Sequence, residues 1–296
     1  MKITSDYGHY ASNVQNSVMK ANSEENIRQD KELYNEYLDQ KNSENIAATL
    51  SISKTAKVAS KYANSLSKLG FSSGNSDTSS EAFKKSVKNF QQVYGLEISG
   101  TIDEKTEQKI NAAVKVYDSL MATNALINYA DKELDYAERV NFSRIAAFMK
   151  VGMGLTSNQT AGFMGNIHVE SRFSSDNAEN KNGEIIDHDP DYIYAVDDGR
   201  GYGICQWTWS GRKATLQRIA GDMGVKEGNI IAQLATIKYE MNGEFIDCKN
   251  RLMATAGVDD ATRIIFSEYE GPNDTSLEAR KKLAGEIRYV FNEAGC

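Results

Sequence analysis

Glu170 is the side chain from which a chemical reading of this sequence starts. It stands in "GNIHVESRF", Gly165 to Phe173. Phe163, Ile167 and Glu170 are spaced i, i+4, i+7, so a helix sets the carboxyl on or beside its apolar face. A carboxyl pressed against apolar neighbours loses hydration when ionised, and its pKa rises. The negative end of the helix dipole pushes the same way. A carboxylic acid that keeps its proton near neutral pH is what protonating a glycosidic leaving oxygen requires. The other uses of such a residue are an ion pair with Arg172 or a turn out to solvent.

A second stretch supplies surfaces rather than protons. "DDGRGYGICQWTWSGR" spans Asp197 to Arg212, with alternating glycines at 199, 201 and 203. It lacks the strand, helix and lysine of a phosphate-binding loop. The glycines predict a tight β-hairpin running close beside a ligand. Tyr202, Gln206, Trp207 and Trp209 offer stacking faces and an amide, which suit sugar rings with N-acetyl groups; one Trp of the pair is expected in the core. Cys205 with His168 or His188 would make the thiol and base of a peptidase. The other reading of Cys205 is a small buried thiol. Asp187, His188, Asp189, Asp191, Asp197 and Asp198 crowd one region, but no EF-hand pattern is present. A solvated acidic lip is expected there, with no metal and no cofactor.

The elements that must position these residues are mostly helical. Thr156 with Gln159 reads as a capping box opening the Glu170 helix. Gly162 and Gly165 remove side chains three apart, so another element can approach closely. Before it, Phe142, Ile145, Ala146 and Met149 mark a helix docked on a core, ended by Gly152 and Gly154. Further upstream, Phe83, Val87 and Phe90 keep helical spacing until Gly95 stops them. Asp103 or Thr101 then caps a helix through Ile110. Residues 70–80, "GFSSGNSDTSS", are loop. Residues 1–57 are polar and read as a helical arm.

Bulk composition excludes several classes. The chain has 296 residues, 40% of them apolar and 25% charged, with a formal net charge of −7. Room exists for two modest domains or one large one. An acidic chain is not a general nucleic-acid binder. No run of apolar residues is long enough to span a membrane. The N-terminus lacks the apolar region of a Sec-type signal peptide. Three cysteines, without a C-x-x-C spacing, make neither a disulfide framework nor a zinc site. With only two prolines, long helices can run unbroken.

Two resemblances then emerge. "SVKNFQQVYGLEISGTIDEKT" resembles the peptidoglycan-binding-like module of cell-wall hydrolases, with Val87, Phe90, Gln91, Gly95, Leu96, Gly100, Asp103 and Thr106 in register. Most of these positions are also what a three-helix bundle needs for packing. "GLTSNQTAGFMGNIHVESRF … GYGICQW" resembles the phage tail lysozyme family and, through E-S followed by G-Y-G-I-x-Q, goose-type lysozymes and soluble lytic transglycosylases. The late "FSEYEGP", with Phe266, Tyr269, Glu270 and Pro272, resembles the family's late segment of Phe, Tyr-Glu and Pro.

The resemblance implies a mainly α protein. The layout is a polar arm (1–57), a peptidoglycan-binding-like module (58–116), a helical connector (117–137) and a lysozyme-like domain with a small β-hairpin (138–296). It implies cleavage of peptidoglycan glycan strands, with Glu170 as general acid. Asp197, or Asp198 beside it, would position the attacking water. Tyr202, Gln206, Trp207 and Tyr269 would hold the substrate. A lytic transglycosylase acting on the same bond, or a non-catalytic wall-binding component, is the alternative. The site of action would be the cell wall, outside the cell or on a virion or appendage, with the arm docking to a phage-tail or flagellar-type assembly.

Overall fold

The computed structural model describes residues 54–71, 80–129, 134–180, 185–186, 192–271 and 275–296. Most of the polar arm and of the 70–80 loop, and with them Asp187, His188, Asp189, Asp191 and Pro272, lie outside the described residues. Helix α1 covers Lys54–Lys68 and α2 Glu81–Tyr94. Ser80 caps α2 by accepting the Phe83 N–H, and Gly95 ends it at φ 72°, a left-handed value that glycine adopts without steric penalty. Asp103, not Thr101, caps α3, Glu104–Met121. That helix runs well beyond the expected end at Ile110, because no glycine or proline interrupts "EKTEQKINAAVKVYDSLM".

A short α4 (Asn124–Ile127) leads to α5 (Tyr136–Ala147), which continues as one π-helical turn over Phe148–Gly152. Then come α6 (Ser157–Ser171), α7 (Ser210–Met223), α8 (Ile230–Met241), α9 (Ile246–Ala254) and α10 (Val258–Ile265). A second π-helical turn, Phe266–Glu270, extends α10, and α11 is Leu277–Glu293. The protein is mainly helical. Between α6 and α7, β1 (Ala178–Glu179) pairs antiparallel with β2 (Ile185–Ile186) over two residues each.

The glycine-rich segment is not the expected hairpin. Gly199 to Gly201 are irregular, Tyr202 makes one isolated bridge to Ala178, and Gly203 to Gln206 form a turn. Gly203 at φ 74° and Gln206 at φ 43° turn the chain too sharply for a ladder to form.

Helix α6 lies at the centre of the C-terminal region, against α10 and α11. The two glycines permit this. A Cβ on Gly162 would fall 2.6 Å from the Ala261 Cβ, and one on Gly165 2.7 Å from the Arg280 carbonyl oxygen. Both distances are far inside van der Waals contact.

Residues 61–296 form one unit with one continuous core. Val87 and Phe90 are core, and the buried Gln91 is structural: its amide donates to the Thr101 carbonyl and accepts the Gly100 N–H, both at 2.8 Å. Tyr94 meets Phe148 edge-on, with ring centroids 6.2 Å apart. Lys238 of α8 donates to the carbonyls of Gln92 and Val93 at the end of α2, at 2.9 and 3.0 Å. These are carbonyls that a helix end leaves without intrahelical partners.

Candidate active site

The capping box at Thr156 and Gln159 is formed, so α6 begins where the sequence places it. Glu170 is its penultimate residue. The helix stops because Arg172 and Phe173 take φ of 52° and 69°. Left-handed geometry at such residues costs about 1–3 kcal/mol each, and must be held by surrounding contacts. One such contact is Arg172 to Glu138, at 3.3 Å; Glu138 is also the capping-box carboxylate of α5. Ser171 donates to the carbonyls of Ile167 and Ile204, tying the helix end to the glycine-rich segment.

Glu170 therefore does not pair with Arg172. Its partner is Arg280 of α11, 2.7 Å away, with the two side chains 19% and 2% exposed respectively. Arg280 is further held by Ser276 at 2.7 Å and by Asn166 at 3.3 Å, and its guanidinium lies over the Phe266 ring. Glu170 opens into a cavity of about 660 Å³, whose lining includes Gln206, Trp209, Arg212, Glu270 and Arg280. That size suits part of a sugar chain.

Glu270, which closes the second π-helical turn, is the unexpected member. Its Oε1 is sealed from solvent and has no hydrogen-bond partner. Burial, and then the nearby Glu170 carboxylate, push its pKa far above the ordinary carboxyl range, against a smaller pull from Arg212 and Arg280. Glu240 behind it is buried but fully served. It accepts from the Arg212 Nε at 2.8 Å, the Arg212 Nη2 at 2.9 Å, the Trp207 indole at 3.2 Å and the Tyr269 hydroxyl. A buried carboxylate with that many donors is a structural charge.

The expected binding residues divide. Gln206 and Tyr269 contribute to the cavity wall, Tyr269 as a buried ring whose hydroxyl is already engaged. Trp207 is 0% exposed and its faces are core, whereas Trp209 is 76% exposed and lines the cavity. Tyr202 is buried and stacks on Tyr192 with ring centroids 5.2 Å apart; it is not part of the cavity lining. Neither Trp207 nor Tyr202 presents a face to a sugar there, because both are consumed in packing.

Asp197 is exposed and does not line the cavity. Asp198 is tied to Lys213, Tyr192 and the Arg200 N–H. Burial raises its pKa, but those donors outweigh burial and hold the carboxyl below its usual range. Cys205 is a buried thiol, pushed far up by burial, and the His168 Nδ1 pairs with the Tyr129 hydroxyl at 2.8 Å. Among the described residues no His, Cys, Asp and Glu group is placed to hold a metal, and no helix is long and apolar enough to cross a membrane.

The phage tail lysozyme family matches residues 141–291, just over half of the chain. The chain belongs to the phage tail lysozyme family. Glu170, its cavity and both π-helical turns fall within that stretch. A putative peptidoglycan binding domain matches residues 63–110, which covers the C-terminal end of α1, all of α2 and the start of α3. No match was found among curated proteins or among solved structures. The two domains together give the protein a lysozyme-like, cell-wall lytic character, with peptidoglycan as the partner. Arg280 and Glu270 were missed as site residues by the spacing argument. Glu270 was visible only as one letter of "FSEYEGP", and nothing local marks Arg280 as buried.

Proposed function

We propose that the protein cleaves the glycan strand of peptidoglycan, with Glu170 donating a proton to the glycosidic oxygen. The observation that carries this reading is the cavity itself. It joins one partly exposed glutamate at a helix end to further carboxyls, the buried Arg280, the half-buried Arg212 and an exposed tryptophan. Trp209 offers a stacking face for a sugar ring and Gln206 an amide side chain. As the bond breaks, the leaving oxygen takes the Glu170 proton, and positive charge builds on the sugar carbon and ring oxygen. Glu268, Glu270 and Glu244 in the same wall suit that charge.

Hydrolysis needs a water held on the opposite sugar face, the role assigned to Asp197 from the resemblance. One observation favours a second reading: Asp197 is exposed and is not among the lining residues. Attack by the sugar's own hydroxyl needs no such carboxylate, and ends the strand in an anhydro ring. That is the lytic transglycosylase outcome.

In this reading residues 138–296 cut the strand and the module at 58–116 serves wall association. The connector is 117–137, and the arm at 1–57 docks to a larger phage-tail or flagellar-type assembly at the wall. The test is the release of new glycan ends from purified peptidoglycan by the wild type, Glu170→Gln and Asp197→Asn. Glu170→Gln is expected to lose cleavage by a factor of about 100 or more. Loss with Asp197→Asn supports hydrolysis, and retention supports the intramolecular route. Full cleavage by Glu170→Gln overturns the proposal.

A further inference from the structure

Among the carboxyls that line the cavity, Glu170 and Glu270 differ in what meets their oxygens. Glu170 has the Arg280 guanidinium at 2.7 Å. Glu270 has an oxygen sealed from water with no donor to meet it. Ionised, that oxygen would lose its hydration with no hydrogen bond to replace it, and the pull of Arg212 and Arg280 is smaller than the cost of burial. Protonated, it needs far less. The π-helical turn brings this about, since a widened turn aims a side chain where a regular helix would not.

We infer, building on the proposed role of Glu170, that Glu170 and Glu270 hold one proton between them at neutral pH, and that Glu270 is the positioning residue that keeps it there. Two like charges in one site cannot both ionise without mutual repulsion, so the last proton leaves the pair late. The pair's single proton passes from Glu270 to Glu170, breaking the Glu270 O–H bond and forming a Glu170 O–H bond, and from Glu170 to the leaving oxygen, which leaves both carboxyls ionised beside the positive sugar. This reconciles a proton donor at Glu170 with the arginine that sits on it.

The groups around Glu270 are known from every side. Arg212 from α7 and Arg280 from α11 favour its charged form; Glu170 from α6 and Glu240 from α8 oppose it. Glu268 on its own turn is bound by Arg251. Cys205, Cys248 and Tyr269 are held neutral by burial, so they add no charge near neutral pH.

The test is the pH profile of glycan cleavage by the full chain. Glu270→Gln copies the neutral form but cannot share a proton. Its alkaline limb is expected to fall by about one pH unit or more. Glu270→Asp, which keeps a titratable group, is expected to recover part of that shift. A merely structural Glu270 would tolerate Gln with an unmoved limb, and that result overturns the inference. Loss of function on Glu170→Gln is not affected by either outcome, so the two ideas fail separately.

Thermal unfolding of the same variants gives a second reading, independent of turnover. A group whose folded pKa is raised takes up a proton on folding, so its contribution declines as pH rises from the ordinary carboxyl range towards the folded value. The wild-type Tm should therefore fall relative to Glu270→Gln as pH rises through that window. Parallel curves would count against a protonated Glu270.

Discussion

Glu240 is buried and Glu270 has one oxygen sealed from water, and their surroundings give them opposite uses. Four donors surround Glu240, which locks Arg212, Trp207 and Tyr269 behind the cavity. Glu270 has an oxygen with no donor, beside the carboxylate that is to give up a proton. At this scale the tryptophan pair is a direct test. Trp207→Ala is expected to lower the unfolding free energy by about 3–5 kcal/mol, since it empties a fully buried site and frees Glu240. Trp209→Ala should change stability by about 0.5 kcal/mol or less, yet weaken glycan binding by about 0.5–1.5 kcal/mol. Chemical denaturation and pull-down on insoluble peptidoglycan measure both. Glu170 was legible because helical spacing puts an acid where an apolar residue belongs. Its partner was not, because Arg280 reaches it through a tertiary approach that no local pattern encodes.

The element that makes the approach possible is α6. Gly162 and Gly165 let α10 and α11 come close enough for backbone contact, and that closeness delivers Arg280 to Glu170. Gly165→Ala is expected to cost about 1–3 kcal/mol of stability, because the backbone of α11 must shift to admit the Cβ. Its activity should fall more than its stability alone explains, since the same shift displaces Arg280. Denaturant unfolding set beside cleavage rate decides this. An Ala variant with unchanged stability would mean that the helices are not packed so tightly. The paired glycines could be read from the sequence with this consequence attached. The π-helical turns could not, since one inserted residue in a helix leaves no periodic signature. The glycine-rich segment misled for a related reason: alternate glycines suit a hairpin, but Gly203 and Gln206 adopt turn geometry instead.

Across the whole molecule, the peptidoglycan binding domain does not hang from the lysozyme domain as a separate bead. It shares a core with it, and Lys238 closes the end of α2 from the other side. The family positions Val87, Phe90 and Gln91 were readable as fold-forming residues, and they are buried in that role. The sequence offered no sign of the docking, because polar groups such as Lys238 and Asn89 reach backbone carbonyls rather than each other. Residues 61–296 are expected to unfold in one calorimetric transition; two resolved transitions would show independent domains. Lys238→Ala should lower stability by about 1–3 kcal/mol by removing the donor shared by the Gln92 and Val93 carbonyls.

In the proposed reaction Glu170 protonates a glycosidic bond of the wall glycan. Mass spectrometry of purified peptidoglycan digested by the wild type and by Glu170→Gln tests it most directly. The expected result is new glycan ends, reducing or anhydro, with the wild type and none with the variant, while circular dichroism shows both folded. The same ends from a folded Glu170→Gln, or intact glycan with cut peptide stems from the wild type, would contradict it.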